Sequence, residues 1–121
     1  MSILADLNTI MKSVNLPVET GVFSGVPPDE YSVLTPLADS FGVFGDNMPL
    51  IDVCEVRISL FSKNNYIKRK NQLVGLLLQA DFTITDRRYL GYEYDTAYHH
   101  YVIDVATSVS LDPNSPYGED K

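Results

Sequence analysis

Residues 50–61, LIDVCEVRISLF, decide how the chain reads. Cys54, Val56, Ile58 and Leu60 fall on one face of an extended run, and Glu55, Arg57 and Ser59 on the other. Such alternation predicts a half-buried strand whose apolar face meets a core. After SKNN (62–65) the spacing becomes helical in YIKRKNQLVGLLLQA (66–80), then returns to β in FTITDRRYL (82–90) and YHHYVIDVATSV (98–109). Upstream, Ile3, Leu4, Leu7, Ile10, Met11 and Val14 recur at helical spacing, with Ser2 as N-cap and Asn15 and Pro17 as a stop. PVETGVF (17–23) reads as a short strand, broken at residues 25–29 by paired prolines that cannot join a ladder. Residues 30–37 are strand-like, with Tyr31, Val33 and Thr35 on one face, and ADSFGVFGDNMP (38–49) signals a loop.

This order predicts one α+β domain over residues 1–111: a mainly antiparallel sheet with two helices packed on one face. Cys54, Val56, Ile58 and Leu60 would lie beneath Leu73 and Leu77, on a second helix whose apolar stripe also takes in Ile67, Val74 and Leu78. Residues 112–121, DPNSPYGEDK, have the composition of a flexible tail.

A chain of 121 residues holds one hydrophobic core. No apolar run approaches the roughly 18 residues of a membrane span, and residues 1–14 are too polar for a signal peptide, so cytoplasmic synthesis is expected. The single cysteine, Cys54, rules out an internal disulfide, and its place on the core face favours an inert thiol.

The net charge of −7 is unevenly placed: Lys12 is the only base among residues 1–56, against eight acids, whereas from Arg57 onward acids and bases balance. Duplex binding calls for a surplus of Lys and Arg on one face, so it is not expected. The acidic half is either a solubilising surface or a functional one. Lys68, Arg69 and Lys70 open the second helix, where its macrodipole disfavours cations. They form either a solvated face or a contact with an acidic surface. Phe41, Val43 and Phe44 either tuck onto the domain's own core or cover a neighbouring subunit. Five of the eight tyrosines lie between Tyr89 and Tyr101, a density suited to an interface; Tyr92 and Tyr94 are the candidates there.

No catalytic constellation, cofactor motif or metal site emerges. His99 and His100 are adjacent on a strand and so point to opposite faces. Gly42 and Gly45 lack the strand-to-helix context of a phosphate loop. Glu93 and Asp95 read as a solvated edge.

Several stretches together resemble a known family: DNMPLIDVCEVRISLFSKNNY (46–66), a helix ending LLLQADFTITD (76–86), and YEYDTAYHHYVIDV (92–105). Over residues 16–109 the chain is similar to the small tail-completion or tail-terminator proteins of phages and prophages with long non-contractile tails. The resemblance implies a structural virion protein and no enzyme. Its expected form is a six-membered ring of identical subunits at the head-proximal end of the tail tube. Such a ring stops tube growth, and its partners are the major tail-tube protein and a head-completion or connector protein. DNA would pass through without specific binding, and Asp39, Asp46 and Asp52 are the candidates to face that passage. A head-side stopper is the nearest alternative. In a different class stands a small-ligand-binding or enzymatic domain using the tyrosine-rich end and His99 or His100.

Overall fold

The computed structural model describes the backbone of residues 3–43 and 50–110 and the side chains of residues 3–39 and 52–108. Helix α1 (Ile3–Ser13) precedes strands β1 (Val18–Thr20), β2 (Glu30–Val43) and β3 (Leu50–Ser62). Helix α2 (Tyr66–Gln79) and strands β4 (Thr83–Glu93) and β5 (Tyr98–Ser110) follow. They build one five-stranded sheet in the order β1-β2-β3-β5-β4. The class is α+β, as the sequence predicts, and the pairings are antiparallel except for β1 with β2. That parallel pair departs from the expectation, and PVETGVF contributes only Val18–Thr20 to it. Gly21 and Gly25, at φ +86° and +78°, let the chain double back so that β2 starts beside β1 in the same sense.

Both helices end in the same way. Asn15 and Asp81 take left-handed φ, 58° and 65°. The next amides, of Leu16 and Phe82, donate to the carbonyls of Met11 and Leu77 at 3.0 Å, while those of Asn15 and Asp81 donate to Lys12 and Leu78 at 3.1 Å. These paired bonds satisfy the last carbonyls and turn Leu16 and Phe82 back into the core.

The core joins Leu7 and Met11 of α1 and Leu73 and Leu77 of α2 to Leu34, Val56, Ile58, Leu60, Ile103 and Val105 of the sheet. Cys54 was expected there and is only half-buried, because the apolar cluster ends at Val56 while β3 runs on. Ile67 and Leu78 are exposed. At about 100° per residue Tyr66, Leu73 and Leu77 align, whereas Ile67 and Leu78 lie roughly a quarter-turn or more away, so the packing stripe is narrower than its composition suggests.

A larger correction concerns residues 38–49, expected as a loop. β2 continues to Val43 and pairs with β3 from Ala38↔Glu55 to Val43↔Leu50. β1 ends opposite Leu34, and the register shifts between Pro36 and Ala38, so the proline lies where a missing N–H is tolerated. β4 begins opposite Ala106, while β5 runs on to Ser110 opposite Ile51. Residues 38–43, 50–55 and 107–110 therefore form a three-stranded extension about 20 Å long at roughly 3.4 Å per residue. Among the described residues the core cluster does not reach it.

One ionic network locks the helical layer to the sheet. Arg69 of α2 donates from Nε and Nη2 to Glu30 Oε1 at 2.8 and 2.6 Å, and from Nη1 to the Val14 carbonyl beyond α1 at 2.9 Å. Ser62 Oγ donates to the other Glu30 oxygen at 3.0 Å. The side chains of Arg69 and Glu30 are only 20% and 17% exposed. Among the described residues no helix lies over the opposite face of the sheet. There Arg57 grips Asp104 through two bonds of 2.8 and 3.0 Å, and His100 stacks on Phe61 with ring centres 4.2 Å apart.

Two outcomes are expected. Arg69→Lys keeps the charge but loses the fork, so it and Arg69→Ala should each cost about 2 kcal/mol, a fall in Tm of roughly 6–10 °C. An unchanged melting curve for Arg69→Lys would reduce the network to simple charge. For His100, burial lowers the pKa below its usual 6.5, the Arg57 charge acts in the same direction, and Glu93 partly opposes both. The unfolded chain therefore takes up this proton first, and stability should be flat above pH 7 and fall as pH drops below about 6.5. Denaturant titrations across that range should show the fall in the parent chain and its loss in His100→Phe.

Candidate assembly interface

At the turn between β4 and β5 the rings predicted from the sequence come together on the helix-bearing face. Tyr92 lies 4.9 Å from His99 and 5.1 Å from Tyr94, and Tyr66 of α2 stacks on Tyr89 at 5.0 Å and reaches His99 at 5.0 Å. The ladder explains the grouping: Tyr101 pairs with Tyr89 and His99 with Tyr92, and cross-strand partners share a face. Gly91, at φ 125°, sits at a register shift that brings Tyr92 opposite His99. Desolvation and then the phenols of Tyr66, Tyr94 and Tyr92 push the Tyr89 hydroxyl above its usual range. It is neutral at pH 7 and lies 2.9 Å from His99 Nδ1. Tyr89, Tyr92 and Tyr94 are exposed, Tyr94 most of all at 89%, giving an aromatic platform with Tyr94 at its open rim.

The basic triplet does not form one surface. Arg69 turns inward to Glu30, an acid of the negative half, so the partner that the sequence left open for this residue lies within the chain itself. Lys70 Nζ lies 5.3 Å from the centre of the Tyr101 ring. Lys68 is exposed, and its backbone amide is capped by Asn65 Oδ1 at 3.1 Å. It lines an open depression of about 350 Å³ with Glu30, Asn64, Asn65, Arg69 and Gln72.

The acidic candidates lie on the extension. Asp39 pairs across strands with Cys54, and Asp52 lies two residues from Cys54 on the same face. Asp39 is exposed and Asp52 half-buried. Asp39, expected in a loop, is a strand residue of β2, and Asp52 lies in β3, within the strand expected there. Burial pushes the Cys54 thiol up to about 11, with hydrogen bonding to Asp39 and the charge of Asp52 acting the same way, so it is protonated at neutral pH. Asp46 and Phe44 lie outside the described residues, as do the side chains of Phe41 and Val43.

His99 and His100 face opposite sides, paired with Ser62 and Phe61 respectively. Glu93 ends β4, but Asp95 belongs to the turn and not to a strand. Among the described residues no group of three or more His, Cys, Asp or Glu could hold a metal ion, and no helix is long and apolar enough to cross a membrane.

The sequence marks residues 21–29 only as the end of a short strand and a proline break, with no functional role. Phe23 packs on Tyr31 at 4.7 Å, Ser24 Oγ donates to Glu19 Oε1 at 2.9 Å, the Tyr98 hydroxyl donates to the Pro28 carbonyl, and the Lys63 amide donates to that of Asp29 at 2.9 Å. The loop is thus pinned, yet Val22 and Val26 stand out of it at 78% and 94% exposure. An aliphatic residue between glycines and prolines was the available signal, and it reads equally well as a residue folded inward.

Comparison of the sequence with protein-family models gave no match, and neither did comparison with curated proteins.

Proposed function

We propose that the chain is a structural assembly protein, a tail terminator whose copies close into a ring on the head-proximal end of a phage tail tube and join it to a head connector. The observation that carries this reading is the three-stranded extension. A ring around a DNA passage needs an element that projects from each compact subunit body. A passage must also not hold its cargo, and carboxylates repel phosphates. The extension supplies both, with Asp39 and Asp52 on one of its faces. The resemblance over residues 16–109 supports the same reading and is the basis for six subunits. The exposed aromatic platform supplies contact area of the kind that interfaces favour. The virion tail is the location this reading implies.

Purified tail tubes mixed with the chain and imaged by electron microscopy should carry a ring at one end and stop growing when tube subunits are added. Tubes that elongate at both ends in excess chain would overturn the assignment. Asp39→Lys with Asp52→Lys should leave assembly intact and slow DNA release from the finished particle. Unaltered release would place these acids away from the passage.

A further inference from the structure

Two exposed patches on this molecule are chemically matched and cannot meet within one chain. The first is the aromatic platform, beside β4 at one edge of the sheet and on its helix-bearing face. The second is the pinned loop of residues 21–29, which joins β1 to β2 at the opposite edge and leans on Tyr31 and Tyr98 of the other face. Both stand at the same end of the strands, since Glu30, Ser62, His99 and Tyr92 are cross-strand neighbours in turn. Three strand spacings, about 14 Å, separate β2, where the loop ends, from the edge strand β4.

We infer that the tyrosine platform of one copy binds the loop carrying Val22, Val26 and Pro27 of a second copy, head to tail. This rests on the ring reading and names the surfaces that would build it. From Gly21 to Pro28 the loop has no charged residue, and its exposed valines and prolines suit the faces of tyrosine rings. Its anchors fix the shape before contact, so little conformational freedom is lost on binding. Charge selects this pairing over platform against platform. Glu93 and Asp95 flank Tyr94, so two platforms face to face would crowd four carboxylates together. At the loop's end, by contrast, the one acid, Asp29, is already offset by Lys63, whose Nζ lies 3.8 Å from it and 4.9 Å from the Tyr98 ring centre, so an acidic turn meets no uncompensated carboxylate there. Different surfaces at opposite edges give a heterologous contact, which closes into a ring when the rotation per subunit allows.

The test uses full-length chains carrying Val26→Asp or Tyr94→Ser, examined by sedimentation velocity. Both positions are almost fully exposed, so the fold should survive; unchanged melting curves verify that, and Val26→Ser serves as a milder second variant. Each change alone should weaken self-association by about tenfold or more. Mixed in equal amounts, the two variants retain one intact platform and one intact loop between them, and should form a two-chain species that grows no further. If Val26→Asp and Val26→Ser assemble like the parent while Tyr94→Ser does not, the platform meets another surface; this contact is overturned and the ring reading stands. A parent chain that remains single at every concentration and at tube ends would overturn the ring reading and this contact with it.

Discussion

The forked pair of Arg69 and Glu30 is the constraint on which the rest of this fold is hung. It ties the first turn of α2 to the start of β2, and through the Val14 carbonyl and Ser62 it also holds the end of α1 and the end of β3. Four elements, α1, β2, β3 and α2, therefore meet at one largely buried charge pair. A guanidinium suits this position because its planar fork reaches two acceptors at fixed angles, which an ammonium does not. The macrodipole cost of a cation in the first turn of α2 is small beside these bonds, since a terminal charge effect is roughly 0.3–1 kcal/mol and charge-assisted hydrogen bonds are about 1.5–3 kcal/mol each.

With that layer fixed, the two faces of the sheet have different tasks. The helix-bearing face is closed by Leu7, Met11, Leu73 and Leu77, and by Leu16 and Phe82 tucked under the helix ends. The other face, which no described helix covers, keeps itself compact through its own side chains. Arg57 lies across Asp104, rings from Phe23, Tyr31, Phe61, Tyr98 and His100 pack together at one end, and Val33 and Val102 are buried among their own neighbours. A face built in this way tolerates water but not a new charge, which is why the protonation of His100 bears on stability there.

How much of this was legible depended on whether the deciding interaction was local. The alternation around Val56, Ile58 and Leu60 and the helical spacing around Leu73 and Leu77 are local, and both led to the right layers. Alternation tells which face Cys54 occupies but not where the helical cover stops, so its burial was overestimated. Residues 38–43 hold their strand through a ladder to β3, and composition rich in Gly, Asp and Ser carries no trace of a ladder. Arg69 finds Glu30 across 39 positions, a contact no periodicity reports. Of the five tyrosines crowded between Tyr89 and Tyr101, Tyr89, Tyr92 and Tyr94 are exposed while Tyr98 and Tyr101 are buried, a division that their number does not report; Val22 and Val26 were missed because their exposure depends on anchors elsewhere in the chain.

The length of β5 sets the geometry of everything proposed for the assembled state. Its 13 residues span about 40 Å at roughly 3.3 Å each, from the aromatic turn at Tyr98 to the extension ending at Ser110. The exposed platform and the pinned loop stand at the first end, while Asp39 and Asp52 stand toward the second. A continuous hydrogen-bonded strand, paired with β3 along most of its length, fixes the separation between the two ends. On the ring reading, contacts between copies at the aromatic end would therefore determine where the acidic extensions sit relative to the axis. The opening left for DNA would then follow from strand length and subunit rotation and would need no further contacts among the extensions.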